Sequence, residues 1–356
     1  VNRRYVILAA LVGAAALLFY SRRETVVPRP APEAIEWQFT YDGQPHLLAN
    51  GVVYRELPSR DCVFVAQVFD PEAVERQFLT DEGVLYRRGD NGDRYPVLQP
   101  FVTSFEDTAE GVAGLRELIG PRLGWTSLTL QTESTPSVPE YVALRTAILR
   151  DKADFVDARV EPLAAAAHTG ALGLRCTCPP RRGNLICAKA SLSTGLVRFR
   201  SGDTLWFRGW YRSVGDVLPF TIVDFECDYA EQHPGLRITL GEDGFLDAEL
   251  KALTKPRFSQ PPGTRVPFPR NEWVEVTVAA EFDVQRGRVR IWQNGQPLVD
   301  ATGETLPFPS CLINDLEVGI SAHSYGDKTA VLDVDDIYLG LEPPPDFVAT
   351  PLPSSR

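Results

Sequence analysis

The chain has 356 residues, 44% hydrophobic and 23% charged, proportions of a globular protein with a sizeable core rather than of a disordered chain. Its formal net charge of -11 argues against a broad nucleic-acid-binding surface, which has to be basic. The length leaves one large domain or two open.

Residues 5–20 (YVILAALVGAAALLFY) are an uncharged, nearly all-apolar run. As a helix at about 1.5 Å per residue they would span roughly 24 Å, a little short of a bilayer core of about 30 Å. Arg3, Arg4, Arg22 and Arg23 stand where they can snorkel at its ends. A cleaved signal peptide is the competing reading, but Ser21, Arg22, Arg23 and Glu24 occupy the place of a small-residue cleavage site. The expectation is a transmembrane signal anchor over 1–24, with the bilayer as a partner through residues 5–20. Long domains translocate largely regardless of charge, so the bulk is expected to be periplasmic, outside a bacterial-type inner (cytoplasmic) membrane.

Residues 25–35 are proline-rich and read as a stiff spacer. A mixed α/β region is expected over 36–150, with a strand at 63–69, a short helix at 70–79, helices at 110–119 and 140–150, and a strand at 126–131. The polar stretch 88–94 reads as a turn, since its Asp90, Asn91 and Asp93 lack the full ligand spacing of a calcium loop. Period-two alternation then dominates 151–341, and a proline-rich tail closes the chain at 342–356.

The alternation can be followed face by face. Thr221, Val223, Phe225 and Cys227 alternate with Ile222, Asp224, Glu226 and Asp228. Leu246, Ala248 and Leu250 alternate with Asp247, Glu249 and Lys251, and Leu316, Val318 and Ile320 with Glu317, Gly319 and Ser321. Val274, Val276, Val278, Val289 and Ile291 repeat the pattern, and Asn294-Gly295 predicts a two-residue hairpin turn. Antiparallel strands with one apolar and one polar face imply two packed sheets, a jelly-roll β-sandwich.

The six cysteines suit an oxidising compartment. Cys176 and Cys178 share a strand face, and either could reach Cys187 across a hairpin; a zinc site is disfavoured because no CxxC pair occurs. Trp206, Arg208, Trp210 and Arg212 fall on one strand face, and Arg290 joins Trp292 in a similar set. Arginine interleaved with tryptophan suits a sugar- or protein-binding surface, or the tryptophans belong to the core and the arginines to its rim. Asp224 and Glu226, two apart, share a face as paired carboxylate chemistry requires, although exposed strands also alternate acids for solubility.

Several segments between residues 155 and 340 occur in the order found in the concanavalin A-like jelly roll of heparin-lyase-I-like polysaccharide lyases. They are 169–172 (TGAL), 188–192 (AKASL), 202–207 (GDTLWF), 271–275 (NEWVE), 287–295 (GRVRIWQNG) and 334–337 (VDDI), and through them the chain resembles that group. The resemblance implies β-elimination at an acidic polysaccharide, with a base and a group that neutralises the uronate carboxylate. Where the group ends a strand with Tyr, this chain has His323, with Tyr325 two residues further on; an enzyme reading has Arg237, Lys251, His323 and Tyr325 converge on the polar face of one sheet, with His323 as base and Arg237 as neutraliser. Where the group carries Gln or His, this chain offers Asp224 and Glu226, acids that would repel a uronate. Asp335 and Asp336, with Glu106, resemble the structural calcium site of some sugar-binding sandwiches. The expected function is therefore a membrane-anchored, non-catalytic binding or structural module, either an accessory subunit of a membrane-protein complex or a binder of an acidic envelope glycan. The alternative is a polysaccharide lyase.

Overall fold

A computed structural model describes residues 26–41, 44–67, 77–88, 93–120, 122–216, 218–228, 233–251, 257–309, 311–324 and 327–348. The apolar run 5–20 lies outside them; among the described residues no helix is long and apolar enough to cross a membrane. The chain divides into two compact units, Val1–Pro71 and Glu72–Arg356.

The first unit is a five-stranded antiparallel sheet built from β1 (Val26–Val27), β2 (Ile35–Tyr41), β3 (Gln44–Ala49), β4 (Val52–Glu56) and β5 (Cys62–Gln67), in the order β1-β5-β4-β3-β2. Asn50 and Gly51 take φ of 50° and 72°, the pair of left-handed residues that a tight β3–β4 hairpin needs. Leu47, Ala49 and Cys62 form its core, with Val27, Ile35 and Tyr54 packed against them.

In the second unit, β6 (Phe78–Asp81), β7 (Val84–Arg88) and β8 (Arg94–Pro96) make a small sheet of their own, followed by β9 (Phe101–Thr103). The expected helix over 70–79 therefore gives way to strand at Phe78 and Leu79, its earlier part lying mostly outside the described residues. Helix α1 (Gly111–Leu118), strand β10 (Ser127–Gln131) and helix α2 (Val138–Leu149) come next. The α2 N-terminus is closed by Glu140, whose carboxylate accepts the Ser137 N–H at 3.0 Å in a capping box.

The sandwich proper continues with β11 (Arg159–Leu163), β12 (Gly173–Cys178), β13 (Ala188–Thr194), β14 (Thr204–Ser213), β15 (Phe220–Glu226), β16 (Gly235–Leu240), β17 (Leu246–Lys251) and β18 (Arg257–Phe258). It ends with β19 (Val274–Glu281), β20 (Gly287–Gln293), β21 (Gln296–Gly303), β22 (Asp315–His323) and β23 (Ala330–Gly340). One sheet has seven strands in the order β10-β13-β22-β15-β16-β17-β18. The other has eight, β11-β12-β23-β14-β19-β20-β21, with β9 added beside β23. Strands β9 and β10 thus enter the sandwich from sequence ahead of residue 151.

The inner faces are those expected from alternation. Leu205, Phe207 and Tyr211 of β14 are buried, as are Val223 and Phe225 of β15, and the Phe207 and Phe225 rings lie edge to face at 5.6 Å. Each such buried side chain contributes roughly 1.5–3 kcal/mol. Asn294 and Gly295, at φ of 50° and 73°, turn β20 into β21. Cys176 and Cys178 point into the core together, and all six cysteines are free thiols.

Candidate functional site: a charged groove over the seven-stranded sheet

The residues named from sequence separate into three places. His323, at the end of β22, is 0% exposed, and its ring nitrogens face the backbone carbonyls of Pro219 at 3.4 Å and Lys328 at 3.2 Å. It is a buried loop anchor; Tyr325 lies outside the described residues. Arg237 and Lys251 do share the polar face of the seven-stranded sheet. Arg237 donates to Glu249 at 2.6 Å, and Lys251 is bonded to Glu226.

The tryptophans and arginines lie on the outer face of the eight-stranded sheet, as their alternation requires, but their contacts are internal. Trp206 stacks on Trp292 at 6.0 Å, and Phe347 from the tail packs on both, at 5.4 and 5.0 Å. Trp292 is consequently buried. Arg290 lies over both indoles and pairs with Glu281, and Arg208 donates to the Pro345 carbonyl at 3.3 Å. Trp210 stacks on His168 at 3.8 Å, while Arg212 covers Trp273 and holds Asp333. A pocket of about 590 Å³ remains beside Arg208, with Trp210, Trp273 and Phe347 in its walls.

Glu106, Asp335 and Asp336 all hold the loop 168–172. Glu106 accepts the N–H groups of Ala171 and Leu172, and Asp335 those of His168 and Thr169. Asp336 is bonded to the His168 ring at 2.8 Å and accepts the Thr169 hydroxyl proton. Burial lifts the Asp335 carboxyl to about 6, against its backbone hydrogen bonds.

The polar face of β15 and β22, which alternation alone would leave in water, is covered. Asp224, Glu226 and Glu317 are 2%, 3% and 4% exposed, and an oxygen from each lies within 4.8 Å of the others. Register brings them together: Asp224 of β15 faces Glu317 of β22 and Arg237 of β16, and Glu226 follows two residues on. The spacing would suit a cation, but lysine ammoniums already occupy it. Lys251 is bonded to Glu226, and Lys189 lies 3.4 Å from Glu317. Ser191 donates to Glu317 and Ser321 to Asp224 at 2.9 Å, which leaves Asp224 Oδ1 buried without a partner.

These environments drive the three carboxyls apart. Burial raises Asp224 and Glu317 above the usual range. Burial acts on Glu226 as well, but Lys251, the His233 hydrogen bond and Lys189 overcome it and hold that carboxyl down at about 2. The His233 imidazole, 3.5 Å from Glu226, is raised in turn by that bond.

Above the carboxylates runs a groove of about 720 Å³, lined by Glu226 and Glu317 on its floor and by Tyr95, Tyr141, Thr129 and Ser193 among its walls. Helix α2 supplies Tyr141, and Arg145 of the same helix bonds to Ser127 of β10, fixing the helix on the groove edge. Arg87 of β7 closes one end, donating to Asp228 at 2.5 Å and to the Gly195 carbonyl at 2.6 Å. A Cβ at position 195 would lie 1.8 Å from the Arg87 guanidinium, so the approach requires glycine there. Sequence reading singled out Asp224, Glu226, Arg237 and Lys251; Glu317, Lys189 and His233 it missed as site residues, because only cross-strand register and loop path bring them in.

No protein-family model matches this chain, and no curated protein matches it. Among solved structures it is similar to the endo-β-1,4-glucuronan lyase of the fungus Trichoderma reesei, at 12% identity and a TM-score of 0.47, over 62% of this chain and 92% of that one. It is also similar to the alginate lyase Aly36B, at 10% identity and a TM-score of 0.39, over 68% and 96%. Botulinum neurotoxin type C, in a structure from work on its interaction with two ganglioside molecules, follows at 12% identity and 0.35, over 52% and 42%.

Proposed function

We propose that this protein is an extracytoplasmic module, anchored in a membrane through residues 5–20, that binds a glycan in the groove over the seven-stranded sheet. The observation that carries the reading is the groove itself: two tyrosines and several hydroxyls above a floor of ion-paired side chains. Such a site offers stacking faces and many fixed donors and acceptors, which a polyhydroxylated ligand can use.

The floor also selects the ligand class. Lys189, Lys251, Arg237 and Arg87 each already hold a carboxylate, so they bring no surplus positive charge to a uronate. Neutral sugars fit this balance better than the acidic glycan expected from sequence. Elimination at a uronate is less well supported than binding, because His323 is buried against two carbonyls and acids occupy the floor.

Titration of the full chain in detergent with neutral and acidic oligosaccharides tests this by calorimetry. Binding that falls at least tenfold in Tyr141→Ala supports the reading. Absence of binding to both classes at millimolar sugar, or binding indifferent to Tyr141→Ala and to Ser193→Ala, overturns it.

A further inference from the structure

We infer that the groove also cleaves the glycan it binds, with Glu226 as nucleophile and Glu317 as general acid and base in a retaining glycoside hydrolysis. The inference rests on the glycan-binding reading and adds a reaction to it. Glu226 and Glu317 both line the groove floor, with one carboxyl oxygen of each within 4.8 Å of one of the other's. Retaining hydrolysis uses two carboxyl groups at about 5–5.5 Å, whereas the inverting reaction needs roughly 6.5–9.5 Å to admit a water. Independently, Asp224, which faces Glu317 across the strand pair and has an oxygen within 4.8 Å of both carboxyls, is almost wholly buried and keeps one carboxyl oxygen without a partner.

The surroundings suit each role. Lys251 and His233 both contact Glu226 and keep it ionised, as a nucleophile must be. Glu317 is buried on the groove floor, with Asp224 opposite and Glu226 nearby, so its proton is favoured despite Lys189. A divergent pair of this kind sorts acid from nucleophile on one sheet face.

In the first step a Glu226 oxygen attacks the anomeric carbon, the glycosidic C–O bond breaks, and the departing oxygen takes the Glu317 proton. In the second, water gives a proton to the Glu317 carboxylate while its oxygen attacks the anomeric carbon, and the Glu226 ester bond breaks. The sum is one glycosidic bond and one water converted to a free reducing end and an alcohol. The substrate class is a neutral glycan, since the carboxylate floor disfavours uronates.

The test treats the full chain with 2-deoxy-2-fluoroglycosyl fluorides of the gluco, galacto and manno series, in both anomers, followed by intact mass and peptide mapping. Expected is a single fluoroglycosyl adduct on Glu226, lost in Glu226→Gln. In Glu317→Gln, turnover of a neutral oligosaccharide should fall at least a hundredfold and be partly rescued by azide. Circular dichroism of both variants guards against unfolding. If the protein binds neutral oligosaccharides but forms no adduct and no reducing ends, or is labelled elsewhere than Glu226, the hydrolase is refuted and the binding reading stands. If it binds no sugar, the binding reading fails and the hydrolase with it.

Discussion

Asp333 of β23 is the most heavily engaged carboxylate on the outer face of the eight-stranded sheet, and its removal should be among the costliest single changes there. It is 0% exposed, lies in register between Arg175 of β12 and Arg212 of β14, and accepts two bonds from each guanidinium. Those four bonds run from 2.7 to 3.0 Å. The arginine side chains are only 24% and 23% exposed. Asp333→Ala leaves both with their mutual repulsion and only Glu161, opposite Arg175, as a nearby counter-charge. Breaking a buried pair costs about 3–5 kcal/mol, and the partial exposure of the arginines points to roughly 3 kcal/mol here. At about 2–4 °C per kcal/mol, Tm should fall by roughly 6–12 °C. Scanning calorimetry at neutral pH measures this, with circular dichroism to confirm the fold. Replacing the cluster together, as Asp333→Leu with Arg175→Met and Arg212→Met, should restore most of the loss, because no charge is then stranded. A fall below about 2 °C in Asp333→Ala, or a triple variant no more stable than the single one, would show that the cluster is not the strut described.

Acid should destabilise the wild type through Glu226. Its folded carboxyl sits at about 2 against an unfolded value near 4.3, so its stabilisation is present above the unfolded value and lost as pH falls through the folded one. The effect is on the order of 3 kcal/mol, and chemical denaturation between pH 5 and 2 should fall more steeply for wild type than for Glu226→Gln. Phe347→Ala should uncover Trp206 and Trp292, seen as a red shift of tryptophan emission, and its absence would mean that the tail does not cover them in solution. Because Glu106, Asp335 and Asp336 are engaged by the 168–172 loop, EDTA should leave Tm within about 1 °C, while a larger fall would point to a bound cation. Asp336→Ala should instead speed amide exchange in that loop.

Strand faces were legible because alternation is a property of each strand alone. β14 buries Leu205, Phe207 and Tyr211 and turns Trp206, Arg208, Trp210 and Arg212 outward, as its sequence requires. The β20–β21 turn was equally readable, since Asn294-Gly295 carries its own backbone preference. Helices α1 and α2 and strand β10 also fell where local pattern put them.

What covers a polar face is decided by parts of the chain far away in sequence. His323 stands where alternation allows an exposed base, yet the path of the chain at Pro219 and Lys328 seals it. Phe347 closes the Trp206–Trp292 pair, and residues of α2, β7 and β8 line the groove over the acidic face of β15. Glu317 reaches Asp224 only through the pairing of β15 with β22, and Lys189 reaches Glu317 only through the pairing of β13 with β22. The sequence by itself determined which side of each strand is apolar, because the pleat repeats every two residues. Only the tertiary structure decided which polar sides meet water, since desolvation and carboxylate coupling arise from elements packed across the sheet and are not encoded in any one strand.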